Sequence, residues 1–148
     1  MSDYKKIYET TATNTGGRDG VSYLNDGSFE VKISTPKEMG GSGSGVNPEQ
    51  LFALGYSACF HGALEIVKGQ RKIHQSSQVT HTVKLYKKPD DVDFKLSAEI
   101  QVAIQDLDLE EVQQIAEEAH KVCPYSKAVK NSIEVSVRAV LYDADKEK

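Results

Sequence analysis

One segment constrains the fold of this chain more than any other. Residues 51–67 lean apolar, are rich in glycine and alanine, and are interrupted only by His61 and Glu65. Asn47-Pro48-Glu49 ahead of the segment reads as a helix start. Asn suits the N-cap, Pro the first helical position and an acidic residue the first turn. The helix is expected to run to about Lys68 and to stop at Gly69. Phe52, Leu54, Tyr56, Ala58, Phe60 and Leu64 do not keep to one stripe, so the pattern predicts a helix enclosed on most sides. The segment falls short of the ~20 residues of a membrane span, and its small residues favour close packing against protein.

The remaining elements have to supply that enclosure. Residues 7–13 alternate as an edge strand, and Gly16-Gly17 marks a turn. Residues 21–24 and 29–34 flank Asn25-Asp26-Gly27, a hairpin signal. Residues 35–46, with Gly40-Gly41-Ser42-Gly43-Ser44-Gly45, read as the most flexible stretch inside the chain. Residues 79–85 and 94–104 alternate around Pro89-Asp90-Asp91 and predict a long antiparallel hairpin with one buried face. Asp108-x-x-Glu111 resembles a capping box and opens a second helix, whose apolar face is Leu109, Val112, Ile115, Ala116 and Ala119. Cys123-Pro124 ends it, residues 124–130 can form a short further helix, and residues 133–141 alternate as a last strand. A charged tail, 143–148, is expected to fray. Strands arriving in hairpins rather than βαβ units predict an α+β class with antiparallel sheets.

At 148 residues the chain suits one domain, 1–148, or two small lobes sharing a core, and a chain of that size needs no cross-links. The net charge of -4 argues against a nucleic-acid or anionic-membrane binder. Two cysteines and a polar start without an apolar signal core fit a cytoplasmic chain with reduced thiols.

Cysteine is where chemistry can begin. Both Cys59 and Cys123 can be small core hydrophobes. If Pro124 opens a helix, however, Cys123 is its N-cap, where backbone N–H groups favour a thiolate. Cys59 sits mid-helix and needs a cation brought from elsewhere. Cys59, His61, His120 and Cys123 together are a candidate zinc set. Residues two apart on a helix point about 200° from each other, which weakens it. His74 and His81 read as ordinary loop and strand residues. The glycine run lacks both a P-loop ending and G-x-G-x-x-G spacing, so it carries no nucleotide signal.

Three motifs carry a resemblance. They are Thr15-Gly16-Gly17-Arg18-Asp19-Gly20, then Asn47-Pro48-Glu49-Gln50-Leu51-Phe52-Ala53 with Gly55-Tyr56-Ser57-Ala58-Cys59-Phe60, and Cys123-Pro124-Tyr125-Ser126. In this order they resemble the organic hydroperoxide resistance (Ohr) proteins of the OsmC/Ohr superfamily. The resemblance implies a thiol-dependent peroxidase that reduces alkyl and fatty-acid hydroperoxides to alcohols. By motif match, Cys59 would be the peroxidatic cysteine and Cys123 the resolving one. Arg18 would be the cation that Cys59 lacks, and Glu49 the carboxylate that holds Arg18. The resemblance further implies antiparallel sheets wrapped around central helices in an intertwined homodimer. It implies no cofactor and no metal, with a lipoylated protein or another dithiol as reductant. Phe52, Phe60 and Phe94 are candidates for an alkyl-binding wall or for core.

Overall fold

The first strand is shorter and starts later than the alternation predicts. In the computed structural model, which describes residues 3–148, β1 is Ala12–Thr15, and Ile7 lies almost fully exposed. The ladder is this short because the antiparallel neighbour β2 (Val21–Leu24) is itself short, pairing Ala12 with Leu24 and Thr15 with Val21, with one further bond from Asn25 N–H to the Thr11 carbonyl at 2.9 Å. β3 (Glu30–Lys32) completes a three-stranded sheet. The expected hairpin turn joins β2 to β3. The Asp26 carboxylate accepts the Ser28 N–H at 2.8 Å and its hydroxyl at 2.6 Å.

The glycine-rich stretch is folded back on itself rather than left open. Gly41 N–H donates to the Pro36 carbonyl and Gly43 N–H to that of Thr35, both at 3.0 Å, while Gly45 N–H reaches the Ser34 hydroxyl at 2.6 Å. A Cβ on Gly41 would lie 2.2 Å from the Thr35 carbonyl oxygen. Glycine is therefore needed there for close backbone approach, not for mobility. Ile33 forms a bridge to Val46, and Ile33 and Ser34 are buried.

Helix α1 (Pro48–Gln70) starts as expected, with a detail the composition did not reveal. Gln50 N–H donates to Asn47 Oδ1 at 2.8 Å, and Asn47 N–H donates to Gln50 Oε1 at 2.9 Å. This reciprocal capping box satisfies two orphan donors.

The chain forms two compact units, one extending to Leu51 and the other Phe52–Lys148. In the second, β4 (Ser77–Lys87) and β5 (Phe94–Ile104) pair antiparallel along their full length, Ser77 opposite Ile104 and Lys87 opposite Phe94. Helices α2 (Leu109–Val122) and α3 (Pro124–Val129) lead to β6 (Glu134–Ala139). The Asp108 carboxylate caps α2 by accepting the Glu111 N–H at 2.9 Å. Tyr56, Phe60, Leu64 and Val67 of α1 share one core with Ala98, Ile100, Val102 and Ile104 of β5 and with Val112, Ile115, Ala116 and Ala119 of α2. Burying side chains of this size stabilises by about 1.5–3 kcal/mol each before entropy is counted.

Three expectations need correction. β6 pairs with β5 in parallel, Ala98 opposite Val135 and Val102 opposite Ala139, so this sheet is mixed and holds a β5–α2–α3–β6 crossover. Alternation of apolar residues does not encode strand direction, and the helical connection is long enough for a crossover. α1 is also less enclosed than its composition predicts, since Leu54 and Ile66 remain more than half exposed. Finally, the charged tail is clamped at its base, where the Gln78 side-chain amide donates to the Asp143 carbonyl at 2.6 Å and accepts its N–H at 3.1 Å. Among the described residues, no helix is long and apolar enough to cross a membrane.

Candidate active site

Two sulfurs distant in sequence meet in the second unit. Cys123 Sγ lies 3.7 Å from Cys59 Sγ, and both cysteines are free thiols. That is contact distance, well beyond the ~2.05 Å of a disulfide bond. Cys59 is partly exposed on α1, whereas Cys123 is fully buried. The residue order around α3 explains how both sulfurs are held. Cys123 is the N-cap, as the Cys-Pro sequence predicts, and Pro124 at the first helical position has no N–H to offer. The first two donors of the helix are therefore Tyr125 and Ser126. Ser126 N–H donates to Cys123 Sγ at 3.5 Å, and Tyr125 N–H donates to Cys59 Sγ. Cys59 thus receives help that its mid-helix position did not suggest, from a backbone group 66 positions away in sequence (125 − 59).

Within this unit the balance still favours a neutral Cys59. Burial pushes its pKa up, and the neighbouring Cys123 pushes the same way, while the Tyr125 N–H alone opposes them. Behind Cys123 lies a buried polar chain. The Tyr56 hydroxyl and the Ser126 hydroxyl are 2.7 Å apart, and His120 Nδ1 is 2.8 Å from the same Ser126 oxygen. Burial raises the Tyr56 pKa; burial, and then the Lys130 charge, lowers that of His120. His81, from β4, packs its ring 4.4 Å from the Tyr56 ring centroid, and both of its nitrogens are buried without a hydrogen-bond partner. Burial lowers its pKa to about 4.

A separate charged assembly occupies the unit that extends to Leu51. Arg18 sits in a 3-10 turn, Gly17–Asp19, entered through Gly16 at φ 86°. The guanidinium grips Glu49 in bidentate fashion, Nη1 to Oε2 at 3.0 Å and Nη2 to Oε1 at 2.7 Å. The Arg18 bond holds the Glu49 carboxyl below the usual carboxylate range, and Glu49 raises Arg18 in turn. The flanking residues fix this turn. Asp19 accepts the Thr35 N–H at 3.1 Å and its hydroxyl at 3.0 Å, and a Cβ on Gly20 would lie 1.9 Å from the Thr15 carbonyl oxygen. The motif Gly-Gly-Arg-Asp-Gly is thus explained residue by residue: glycines for the tight turn, Asp19 as its anchor, Arg18 as its projecting cation.

The three phenylalanines go to different places. Phe52 stacks on Tyr125 with ring centroids 6.4 Å apart, next to Tyr56 at 5.5 Å, and so belongs to the aromatic group around α3. Phe60 is fully buried between His81 and His120. Phe94 opens β5 opposite Lys87 and is half-exposed. Among the described residues, no group of three or more His, Cys, Asp or Glu is placed to hold a metal ion. His61 Nε2 is engaged with the Ser77 hydroxyl at 2.7 Å, and His120 Nδ1 with Ser126. The sequence marks His120 only as a candidate zinc ligand and Tyr56 and Ser126 only within the resemblance motifs, with nothing to link the three. The signal for them was the residue after Cys-Pro-Tyr and a His one turn of helix before Cys123.

The description "OsmC-like protein" matches residues 41–138. The chain belongs to the OsmC-like family. An organic hydroperoxide resistance protein-like 2 of Staphylococcus epidermidis is 44% identical over 133 residues, covering 88% of this chain and 94% of that relative. The organic hydroperoxide resistance protein of Xanthomonas axonopodis pv. citri is 40% identical, covering 92% and 96%. The crystal structure of Bacillus subtilis OhrB, an organic hydroperoxide resistance protein, superposes with a TM-score of 0.80 at 38% identity, covering 90% of this chain and 98% of that one. The family match at residues 41–138 contains Glu49 and both cysteines, whereas the Gly-Gly-Arg-Asp-Gly motif lies ahead of it.

Proposed function

We propose that this protein is a thiol-dependent peroxidase that reduces organic hydroperoxides, alkyl or fatty-acid, to alcohols. The observation that carries the reading is the pair of free thiols in contact, Cys59 and Cys123, each receiving an N–H from the first turn of α3. The names of the relatives support the substrate class. The cycle starts with the Cys59 thiolate attacking the peroxide. An S–O bond forms, the O–O bond breaks, and the alkoxide leaves as the alcohol after taking a proton, with Cys59 as the sulfenic acid. Cys123 then displaces water to give the Cys59–Cys123 disulfide. An external dithiol such as a lipoyl group restores both thiols and is itself oxidised to a disulfide.

Ionisation is the missing ingredient in the second unit, and Arg18 is its proposed source, with Glu49 fixing the guanidinium. A free cysteine of pKa ~8.5 is about 3% thiolate at neutral pH, so full ionisation gains about 30-fold at most. The rest of the rate must come from positioning the peroxide and from stabilising the departing alkoxide, for which the planar fork of an arginine is suited. Phe52 and Tyr125 form the proposed apolar wall for the alkyl chain. On this reading the two units make one OsmC/Ohr-type domain, since the family match runs across their boundary. A second copy covers the exposed Leu54 and Ile66 of α1 in a homodimer. A catalytic disulfide that must be re-reduced fits a reducing compartment such as the cytoplasm.

The test is steady-state consumption of cumene hydroperoxide with dihydrolipoamide, for wild type and Cys59→Ser. Sustained turnover is expected for wild type and none for the variant. Turnover retained without the Cys59 sulfur would falsify the peroxidase reading, and a single round without recycling would leave only a redox-active binding protein.

A further inference from the structure

The buried chain of Tyr56, Ser126 and His120 has no place in the peroxide chemistry itself, yet its central member is the residue whose N–H meets the Cys123 sulfur. Ser126 is buried, and its hydroxyl is the only joint between an α1 side chain and an α2 side chain in this group. With tyrosine and imidazole both neutral, one direction of hydrogen bonding satisfies every member. The Tyr56 O–H donates to Ser126 Oγ, and the Ser126 O–H donates to His120 Nδ1. The reverse direction would leave the Tyr56 hydroxyl proton without an acceptor in a buried site, which is costly. The first turn of α3 is thereby fastened to two longer helices through one hydroxyl.

We propose that Ser126, anchored by Tyr56 and His120, is the positioning residue for disulfide formation: it holds the start of α3 so that Cys123 stays aimed at the Cys59 sulfur. The inference rests on the peroxidase reading and concerns its second step alone. In that step the Cys123 sulfur attacks the Cys59 sulfenic sulfur. An S–S bond forms and the S–O bond breaks. The Cys123 thiol proton leaves with the hydroxide as water, so that Cys123 is oxidised and the sulfenic sulfur is reduced. The sulfurs, 3.7 Å apart as thiols, must close to bonding distance, and the negative charge that Cys123 takes on when it gives up its proton to become the nucleophile falls where the Ser126 N–H points. Small losses of alignment at a reacting pair cost rate steeply. The first step does not involve the Cys123 sulfur, so the anchor reaches it only indirectly, through Tyr125 and its N–H on Cys59.

Single-turnover experiments separate the two steps. Wild type, Ser126→Ala, Tyr56→Phe, His120→Leu and His120→Asn are each mixed with one equivalent of cumene hydroperoxide. Sulfenic acid formation and Cys59–Cys123 disulfide formation are followed by trapping and intact mass. Ser126→Ala is expected to form the sulfenic acid at a rate within about twofold of wild type but the disulfide about tenfold more slowly. Excess peroxide should then drive Cys59 to the sulfinic acid. Tyr56→Phe and His120→Leu should slow the same step, and His120→Asn, which keeps a polar atom at the Nδ1 position, should restore most of it. Disulfide formation at the wild-type rate in Ser126→Ala overturns the proposal, as does equal slowing of both steps, which marks general loss of structure. If wild type itself forms no disulfide with the peroxide, the peroxidase reading fails and this inference falls with it.

Discussion

The Arg18–Glu49 pair and the Cys59–Cys123 pair are built on opposite terms. Arg18 projects from a glycine-shaped turn with its side chain 41% exposed, and each partner keeps the other charged. The sulfurs lie against a packed core, where burial works against charge on Cys59. A solvated loop can carry a full charge at little desolvation cost, whereas a core can shield a reactive sulfur from indiscriminate oxidation but cannot ionise it. Under the proposed function, a nucleophile that must be both shielded and anionic would take its counter-charge from a region built differently from its own.

That contrast can be broken most directly at Arg18. Arg18→Ala is expected to lower kcat/KM for cumene hydroperoxide by at least about 30-fold, the whole thiol-to-thiolate factor, and to raise the Cys59 pKa read from thiolate absorbance. Arg18→Lys should recover only part, because an ammonium cannot bind in the same fork geometry. A Cys59 titration identical in wild type and Arg18→Ala would sever the proposed link between the two regions. Cys123→Ser probes the sulfur side. After one equivalent of peroxide it should show the mass of one added oxygen on Cys59, and steady-state turnover about tenfold below wild type. An unmodified, fully recycled thiol there would remove Cys123 from the cycle.

Two smaller effects sharpen the same contrast through pH. His81 in the sulfur-bearing unit has a folded pKa of about 4, below its unfolded value of ~6.5. The unfolded chain binds that proton first, so the stability contribution is whole above ~6.5 and is lost as pH falls toward ~4, by up to about 3 kcal/mol. Urea midpoints across this range should fall for wild type and flatten in His81→Phe; a slope shared by both would place the titration elsewhere. Glu49 has the opposite surroundings. Its folded pKa is depressed by Arg18, so its contribution is present above the unfolded value of ~4.3 and disappears as pH falls through the folded one. With a partner this exposed, Glu49→Gln should cost at most about 1 kcal/mol at pH 7, and wild type and variant should converge in acid. A gap that persists at low pH would mean that packing rather than charge is lost.

What could be read from residues alone follows the range of the interactions. The Asn-Pro helix start, the Asp108 cap and the Cys123 N-cap are local, encoded within a few residues, and they stand where the patterns put them. The parallel pairing of β6, the Tyr125 N–H on Cys59 and the Tyr56–Ser126–His120 chain join residues far apart, and no local pattern specifies such partners. The glycine run misled for a different reason. Glycine permits both mobility and tight approach, and only the Cβ clash at Gly41 tells which one is at work. Arg18 and Glu49 entered through the resemblance, and their bidentate contact across 31 positions supplies a physical basis for reading them together.

The way Glu49 takes hold of Arg18 has one more outcome. The carboxylate meets the guanidinium end-on, claiming one hydrogen from each terminal nitrogen. Of the five that arginine carries, three, including the one on Nε, are left unclaimed by Glu49. An incoming anion can therefore dock along the side edge of the guanidinium while the carboxylate stays seated, so this cation can host a guest without giving up its resident.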